Sequence, residues 1–186
     1  MPILLPPEQH TISYDDEVGT KIKGPFGIGD GKVETAQLLT RDTRGEAAKI
    51  RPACQRGGVV ETRLSFEGSH YVLFGAARVG ADLKGKGLGS SPDAYVFRLS
   101  SRFTWEAGKH NSKGRRTGPE SLTVPCTLVE VIDLQQFKLI VKMEDGSIVW
   151  QCKLPPGHDY QPVVATRSSS CRVKLLTATM GGAGAQ

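Results

Sequence analysis

The chain has 186 residues, 22 of them glycine, and a formal net charge of +5 with an isoelectric point near 9.1. This length fits one domain that can bury a core without a metal or disulfide staple. The apolar start is interrupted at Pro6, and no apolar run approaches the roughly 18 residues of a membrane-spanning helix, so we expect neither a signal peptide nor a transmembrane helix. The net positive charge favours anionic partners.

Residues 1–31 are predicted to form an irregular N-terminal arm. Their prolines and glycines do not sustain a helix, and their five acids and two lysines give a net charge of −3. Residues 12–14 favour a short strand within this arm. Residues 33–50 carry an irregular apolar stripe that stops before Pro52, which predicts one or two short helices.

From Gly57 onward the pattern changes to that of strands. Residues 59–66 alternate apolar and polar side chains, residues 67–69 favour a turn, and residues 70–77 favour a second strand, which together predict a hairpin. Residues 95–105 alternate without interruption, which predicts one long strand with an apolar face and a basic face.

The rest of the chain continues in the same way. Further strands are predicted over residues 122–132, 137–143, 148–154, 162–166 and 171–179. Asp145-Gly146 lies between two of them, which is a strong hairpin signal. The small residues at 181–186 predict a flexible tail. About eight sequential strands with few helices predict a single, mainly β domain over residues 32–180, an antiparallel β-sandwich or barrel.

A basic, glycine-bearing loop at residues 108–118 is the strongest functional feature of the sequence. It holds four cations and no acid, and a loop held between rigid strands is a common place for binding function. The strand before it and a glycine-rich loop further upstream add more cations. The predicted anion-binding surface consists of Lys84, Lys86, Arg98, Arg102, Lys109, Lys113, Arg115 and Arg116.

Other interpretations of these segments stay open. The loop charges also fit a hairpin tip that is merely well solvated. Only His110 and Asn111 in the tip are suited to reading bases, so nucleic-acid contact is expected to be sequence-independent. Residues 80–87 resemble a phosphate-binding loop, but Gly87 replaces the hydroxyl that would ligate magnesium, so nucleotide hydrolysis is not expected. The strand aromatics are predicted to pack in the core, with a stacking platform as the alternative.

Catalytic and metal-binding patterns are not found in the sequence. The four cysteines and four histidines show none of the short paired spacings of metal sites, and no Gly-x-Ser-x-Gly elbow occurs. We expect His158-Asp159, which follows a Pro-Pro-Gly turn, to be a surface turn rather than part of a catalytic triad. The prediction is therefore no enzyme, no cofactor and no metal, with reduced thiols in an intracellular protein.

The extended arm, the strand edges and the separation of acidic from basic segments favour self-assembly. We predict a self-assembling structural protein of the viral coat or matrix type, a homo-oligomer located inside the cell or in a virion. Its basic face would contact nucleic acid or an anionic membrane. Two alternatives remain. One is a monomeric or dimeric, sequence-independent nucleic-acid-binding β module, and the other is a ligand-binding β-barrel or an enzyme whose site is not visible in the sequence.

Overall fold

The computed structural model describes residues 10–15, 19–23, 33–40, 43–50, 53–68, 72–81, 88–101, 103–111, 122–166 and 172–182. These residues form fourteen strands and one short 3-10 turn, Leu88–Ser90. The strands are β1 (His10–Asp15), β2 (Gly19–Lys23), β3 (Val33–Thr40), β4 (Thr43–Ile50), β5 (Gly58–Glu67), β6 (Val72–Arg78), β7 (Ala94–Arg98), β8 (Thr104–Glu106), β9 (Lys109–Asn111), β10 (Cys126–Asp133), β11 (Lys138–Met143), β12 (Ile148–Lys153), β13 (Tyr160–Thr166) and β14 (Arg172–Gly182).

The described strands form two antiparallel sheets of seven strands each. Sheet A has the order β12-β11-β10-β5-β14-β1-β2, and sheet B has the order β3-β4-β13-β6-β7-β8-β9. The two sheets pack face to face as a β-sandwich. The predicted mainly β, antiparallel fold is therefore confirmed, with more strands than the sequence pattern suggested.

The core lies between the sheets because each inner strand presents alternate side chains to it. In β5, Val60, Thr62, Leu64 and Phe66 are buried, whereas the intervening residues are partly exposed. Phe66, Phe74, Phe97 and Trp150 form a chain of tilted aromatic contacts with ring centroids 5.5 to 6.0 Å apart. Core packing is therefore the role of these aromatic side chains.

A smaller apolar cluster covers the outer face of sheet B. Leu73, Val96 and Val163 alternate with core residues on their strands and so point away from the core. Leu88 of the 3-10 turn belongs to the same cluster and is fully buried. Both faces of the middle of sheet B are thus covered, which explains why β7 is buried over Ala94–Phe97.

The prediction of one or two short helices over residues 33–50 is wrong. Residues 33–40 and 43–50 form the hairpin β3–β4, which is closed by the pair Thr40 and Thr43. β4 then pairs with β13, so long-range strand pairing prevails over a weak helical stripe. Residues 10–15 and 19–23 of the predicted irregular arm are likewise strands, and β1 pairs with β14 in sheet A.

The predicted long strand over residues 95–105 is instead a hairpin. β7 ends at Arg98, residues 99–101 form a turn, and β8 returns with Phe97 opposite Thr104. The hydroxyl of Ser101 accepts a hydrogen bond from the Phe103 N–H at 3.3 Å, which stabilises the turn. The layers exchange across the turn: Tyr95 and Phe97 of β7 face the core, whereas Trp105 of β8 lies opposite Val96 on the outer face of sheet B.

β6 ends at Arg78 and β7 at Arg98, and because these strands are antiparallel the two arginines lie at opposite ends of the sandwich. We call these the Arg78 end and the Arg98 end. At the Arg78 end the chain turns at residues 53–57, 107–108, 134–137 and 154–159. At the Arg98 end it turns at residues 99–101 and 144–147. The hairpin predicted at Asp145-Gly146 is confirmed there.

Candidate functional site

The predicted anion-binding surface falls only partly within the described residues. Lys84, Lys86, Arg102, Lys113, Arg115 and Arg116 lie outside them, so the surface as a whole stays a prediction. Arg98 and Lys109 are described, and they do not lie together. Lys109 is in one cross-strand row with Tyr95 and Glu106, three residues from Arg98 along β7, which is about 10 Å.

Arg98 packs against aromatic rings at its end of the sandwich. Its guanidinium carbon lies 5.6 Å from the ring centroid of Phe103 and 5.4 Å from that of Trp105. His110 stacks on Trp105 with centroids 5.0 Å apart, and Gly89 lies close to the same indole. Arg98 is therefore part of a local cation–π cluster on the outer face of sheet B.

The Arg78 end carries a concave surface. Turns from both sheets meet there because β5, β7, β9, β11 and β13 all begin at this end, while β6, β8, β10 and β12 finish at it. Two open pockets result, separated by the segment 154–159 that joins β12 to β13. We call them the polar pocket and the mixed pocket.

The polar pocket has a volume of about 380 Å³. It is lined by Arg56, Arg78, Val79, Gly80, Ala81, Asp93, Gly157, His158 and Asp159. The Nη1 of Arg78 donates to the Oδ1 of Asp93 at 3.1 Å, and both side chains are about 30% exposed. The backbone of the same two residues is also joined, because the Arg78 N–H donates to the Asp93 carbonyl at 2.9 Å. This pair thus fixes one wall of the pocket.

The second wall of the polar pocket is built around Asp159. Its Oδ1 accepts the backbone N–H of Arg56 at 2.9 Å, and its carbonyl accepts the N–H of Val79 at 2.9 Å. The Arg56 side chain is 72% exposed, and its Nε lies 3.7 Å from the same carboxylate. Such a long, exposed ion pair contributes little to stability, so the guanidinium is available to another partner.

Two tyrosines lie beneath the segment that separates the pockets. The rings of Tyr95 and Tyr160 meet edge to face at 6.0 Å. The Tyr160 hydroxyl donates to the Pro155 carbonyl at 3.1 Å and is hydrogen bonded to Arg78. Burial raises the pKa of both phenols, and Arg78 offsets only part of this effect. The tyrosines therefore remain neutral. Tyr160 joins the two pockets, because it is hydrogen bonded to Arg78 of the polar pocket and to Pro155 of the mixed pocket.

The mixed pocket is larger, about 640 Å³, and combines apolar walls with charged rims. It is lined by Tyr95, Glu106, Ala107, Lys109, His110, Lys153, Leu154, Pro155 and Pro156. It opens where β9 and β12 are the last strands of their sheets among the described residues. The Oε1 of Glu106 is buried, and no hydrogen-bond partner for it occurs in the described part of the chain.

Within the described ranges, no group of three or more His, Cys, Asp or Glu side chains is placed to hold a metal ion. Burial raises the pKa of Cys54 to about 12 and also raises the pKa of Cys126 and Cys152, so these described thiols are poor nucleophiles.

The pockets were not predicted from the sequence. His158-Asp159 was expected to be a surface turn, and the structure shows such a turn, with His158 exposed. The pocket partners of Asp159 lie about 80 and about 100 residues away along the chain. The only local signal at this turn is the Pro-Pro-Gly break before it, which predicts a turn and not a pocket.

Comparisons with known proteins identify the fold. No known protein family and no curated protein matches the sequence. The SPRY domain of human HERC1 is similar in structure, with 15% sequence identity and a TM-score of 0.57 over 87% of this chain and 96% of that one. The TRIM65 PSpry domain has 14% identity and a TM-score of 0.55 over 90% of this chain and 91% of that one. Stonustoxin has 10% identity and a TM-score of 0.57 over 89% of this chain and 26% of its own.

These similarities show that the chain has an SPRY-like β-sandwich fold. The predicted viral coat or matrix role is wrong, because the structural neighbours are SPRY domains. Part of its physical basis also fails, since described residues of the supposed extended arm are strands paired within sheet A. Among the described residues, no helix is long and apolar enough to cross a membrane. Contact with nucleic acid or lipid and homo-oligomer formation stay predictions.

Proposed function

We propose that this chain is a non-enzymatic protein-interaction module that binds a partner protein through its Arg78 end. The observation that carries the proposal is the convergence of turns from both sheets into two adjoining pockets on one rigid sandwich. SPRY domains are protein-interaction β-sandwiches, and this supports the same role for a chain with their fold.

The side chains of the polar pocket suit a protein partner. Arginine, of which this pocket has two, is enriched among the residues that dominate binding energy at protein interfaces. Arg56 is exposed and only weakly paired, and His158 and Val79 are exposed beside it. The pair between Arg78 and Asp93 holds the wall behind them in place before a partner arrives, which limits the entropy lost on binding.

A matched pair of variants tests this proposal. Arg56→Ala combined with His158→Ala removes the exposed polar groups of the pocket. Arg63→Ala is the control, because Arg63 also forms an exposed ion pair, 3.5 Å from Glu144, but lies on β5 away from both pockets. Proteins retained by the tagged full chain from its native cells are compared by quantitative mass spectrometry, and the affinity of the purified partner is then measured by calorimetry.

We expect the double variant to bind the partner at least about tenfold more weakly than the wild type, and Arg63→Ala to bind as the wild type does. Equal binding by all three proteins would contradict the assignment of the Arg78 end. Turnover of a small molecule in the pocket would contradict the non-enzymatic role.

A further inference from the structure

The turn between β10 and β11 places an aromatic side chain on the surface in an unfavourable backbone conformation. Phe137 has a φ of 54° and is 42% exposed. The left-handed region is sparsely populated by residues other than glycine, asparagine and aspartate, and a bulky residue there is an outlier. Most other described turn positions with positive φ, such as Gly80, Gly146 and Gly157, are occupied by glycine. Phenylalanine at this position therefore lowers the stability of the fold through backbone strain, which glycine would not do.

Hydrogen bonds hold this turn firmly. The Oδ1 of Asp133 accepts the N–H groups of both Gln135 and Gln136 at 2.9 Å. The carbonyl of Phe137 accepts the N–H of Leu154 at 2.9 Å, and Leu154 lines the mixed pocket. The ring is thus fixed beside that pocket and does not depend on a mobile loop for its exposure.

A second unfavourable feature lies next to the first. Lys138 and Lys153 are directly opposite each other on β11 and β12, and both are exposed. Like charges in directly opposite positions destabilise a strand pair. Asp133 lies opposite Lys138 on the other side, but its Oδ1 already accepts the two turn N–H groups. Lys138 itself has a 3.4 Å contact with the Gln136 side chain.

The strained backbone of Phe137 and the opposed lysines both lower stability, and they lie next to each other. Destabilising features that cluster in this way are expected where a surface serves binding rather than stability. An exposed aromatic ring ringed by polar groups has the arrangement of an interface anchor. The paired lysines add a positive rim, which a partner with carboxylates would neutralise.

We infer that Phe137, with Lys138 and Lys153, forms an anchor patch that inserts into an apolar depression rimmed by acidic residues on a folded partner protein. This inference rests on the proposed function, which places the partner at the same end of the sandwich. It goes further by naming the shape and charge of the surface that the partner presents.

Three exposed apolar residues provide matched positions for a photo-crosslinking test. Val79, Phe137 and Ile148 are 47%, 42% and 41% exposed. Each is replaced in turn by p-benzoylphenylalanine in the full chain, which is then irradiated in its native cells. Position 79 reports the polar pocket, position 137 reports the anchor patch, and position 148 is the control at the far end of β12. Adducts are sized and identified by mass spectrometry.

We expect the same protein adduct at positions 79 and 137 and none at 148. In the purified pair, Lys138→Glu or 0.5 M NaCl should lower the adduct yield at 137 at least about fivefold, because the contact is electrostatic. Lys142→Glu, the same charge change nearer the Arg98 end of β11, should leave the yield unchanged.

The outcomes separate the two proposals. An adduct at 79 but not at 137 overturns the anchor patch and leaves the proposed function standing. An adduct at 137 that is insensitive to Lys138→Glu, that forms equally at 148, or that is only a second copy of this chain also overturns the anchor patch. Absence of adducts at all three positions contradicts both proposals.

Discussion

Arg78 and Arg98, the last residues of β6 and β7, have different kinds of partners. This difference distinguishes the two ends of the sandwich. Arg78 donates to Asp93, which lies 15 residues away, and is hydrogen bonded to Tyr160 on a third strand. Arg98 lies over Phe103 and Trp105, which follow it closely in the chain. The Arg78 end is thus assembled from distant segments, whereas the described cluster at the Arg98 end is local.

This difference explains where the two described pockets form. Distant segments leave gaps where their turns meet, and at the Arg78 end these gaps are the polar and mixed pockets. At the Arg98 end, the described rings of Phe103 and Trp105 pack against the Arg98 guanidinium itself. Of the two described members of the predicted anion-binding surface, Arg98 lies outside both pockets and Lys109 lines the mixed pocket.

The largest effect is expected from Gly75→Ala, which would disturb both ends together. Gly75 lies in β6 opposite Val96 of β7, the strands that carry the two arginines. A Cβ at this position would lie 2.8 Å from the Val96 Cα and closer still to the Tyr95 carbonyl oxygen, so the strands would have to separate. We expect a loss of about 3 kcal/mol or more in the free energy of unfolding, measured by urea denaturation.

Gly80→Ala is the matched control for that variant. Gly80 has a φ of 80°, and no atom lies within 4 Å of the Cβ that alanine would add. Its cost should be about 1 kcal/mol and come from the backbone alone. If Gly75→Ala were no worse than Gly80→Ala, the close packing of β6 on β7 would be contradicted.

The next effect concerns Glu130, which lies in the core between the two ends. Its carboxylate is completely buried, and neither oxygen has a hydrogen-bond partner within the described residues. Burial raises its pKa well above the usual value, so the folded protein keeps the proton after the unfolded chain has lost it. Stability should therefore fall as the pH rises above about 4.3, by up to about 1.4 kcal/mol per pH unit, until the pKa of the folded state is reached.

Urea denaturation of the wild type and of Glu130→Gln across pH 4 to 8 measures this effect. The variant lacks the ionisable group, so its stability should depend less on pH and exceed that of the wild type at pH 8. Hydrogen exchange at both ends should slow equally in the variant, because Glu130 belongs to the shared core. Parallel pH profiles for the two proteins would show that Glu130 ionises normally in the folded state.

The third prediction compares the two arginines directly. Arg78→Met leaves Asp93 partly buried without its partner and should cost about 2 kcal/mol. Arg98→Met keeps an apolar stem against Phe103 and Trp105 and loses the cation–π contact, which should cost about 1 kcal/mol or less. Thermal denaturation measures both, and partner binding should weaken only in Arg78→Met. A larger cost for Arg98→Met would make the Arg98 end the better organised one.

The parts of the molecule that were predictable from sequence are those determined by neighbouring residues. Alternation in residues 59–66 and the Asp145-Gly146 turn depend on local patterns, and both are found in the structure. The predicted hairpin of residues 59–66 with 70–77 is wrong, because β5 belongs to sheet A and β6 to sheet B, and each pairs with strands distant in sequence. Residues 33–50 were misassigned because β4 is specified by its pairing with β13, more than 100 residues away. The pockets were missed for the same reason, since pairs such as Arg56 with Asp159 leave no local pattern.

The smallest effect compares one turn at each end. Phe137 at the Arg78 end and Gly146 at the Arg98 end both have positive φ, 54° and 88°. Phe137→Gly and Phe137→Ala remove the same ring, so the difference between them isolates the backbone, and the glycine variant should be more stable by about 1 kcal/mol. Gly146→Ala should lose a similar amount, as measured by urea denaturation. If Phe137→Ala were as stable as Phe137→Gly, the ring would be in a relaxed turn, and its exposure would no longer indicate selection for binding.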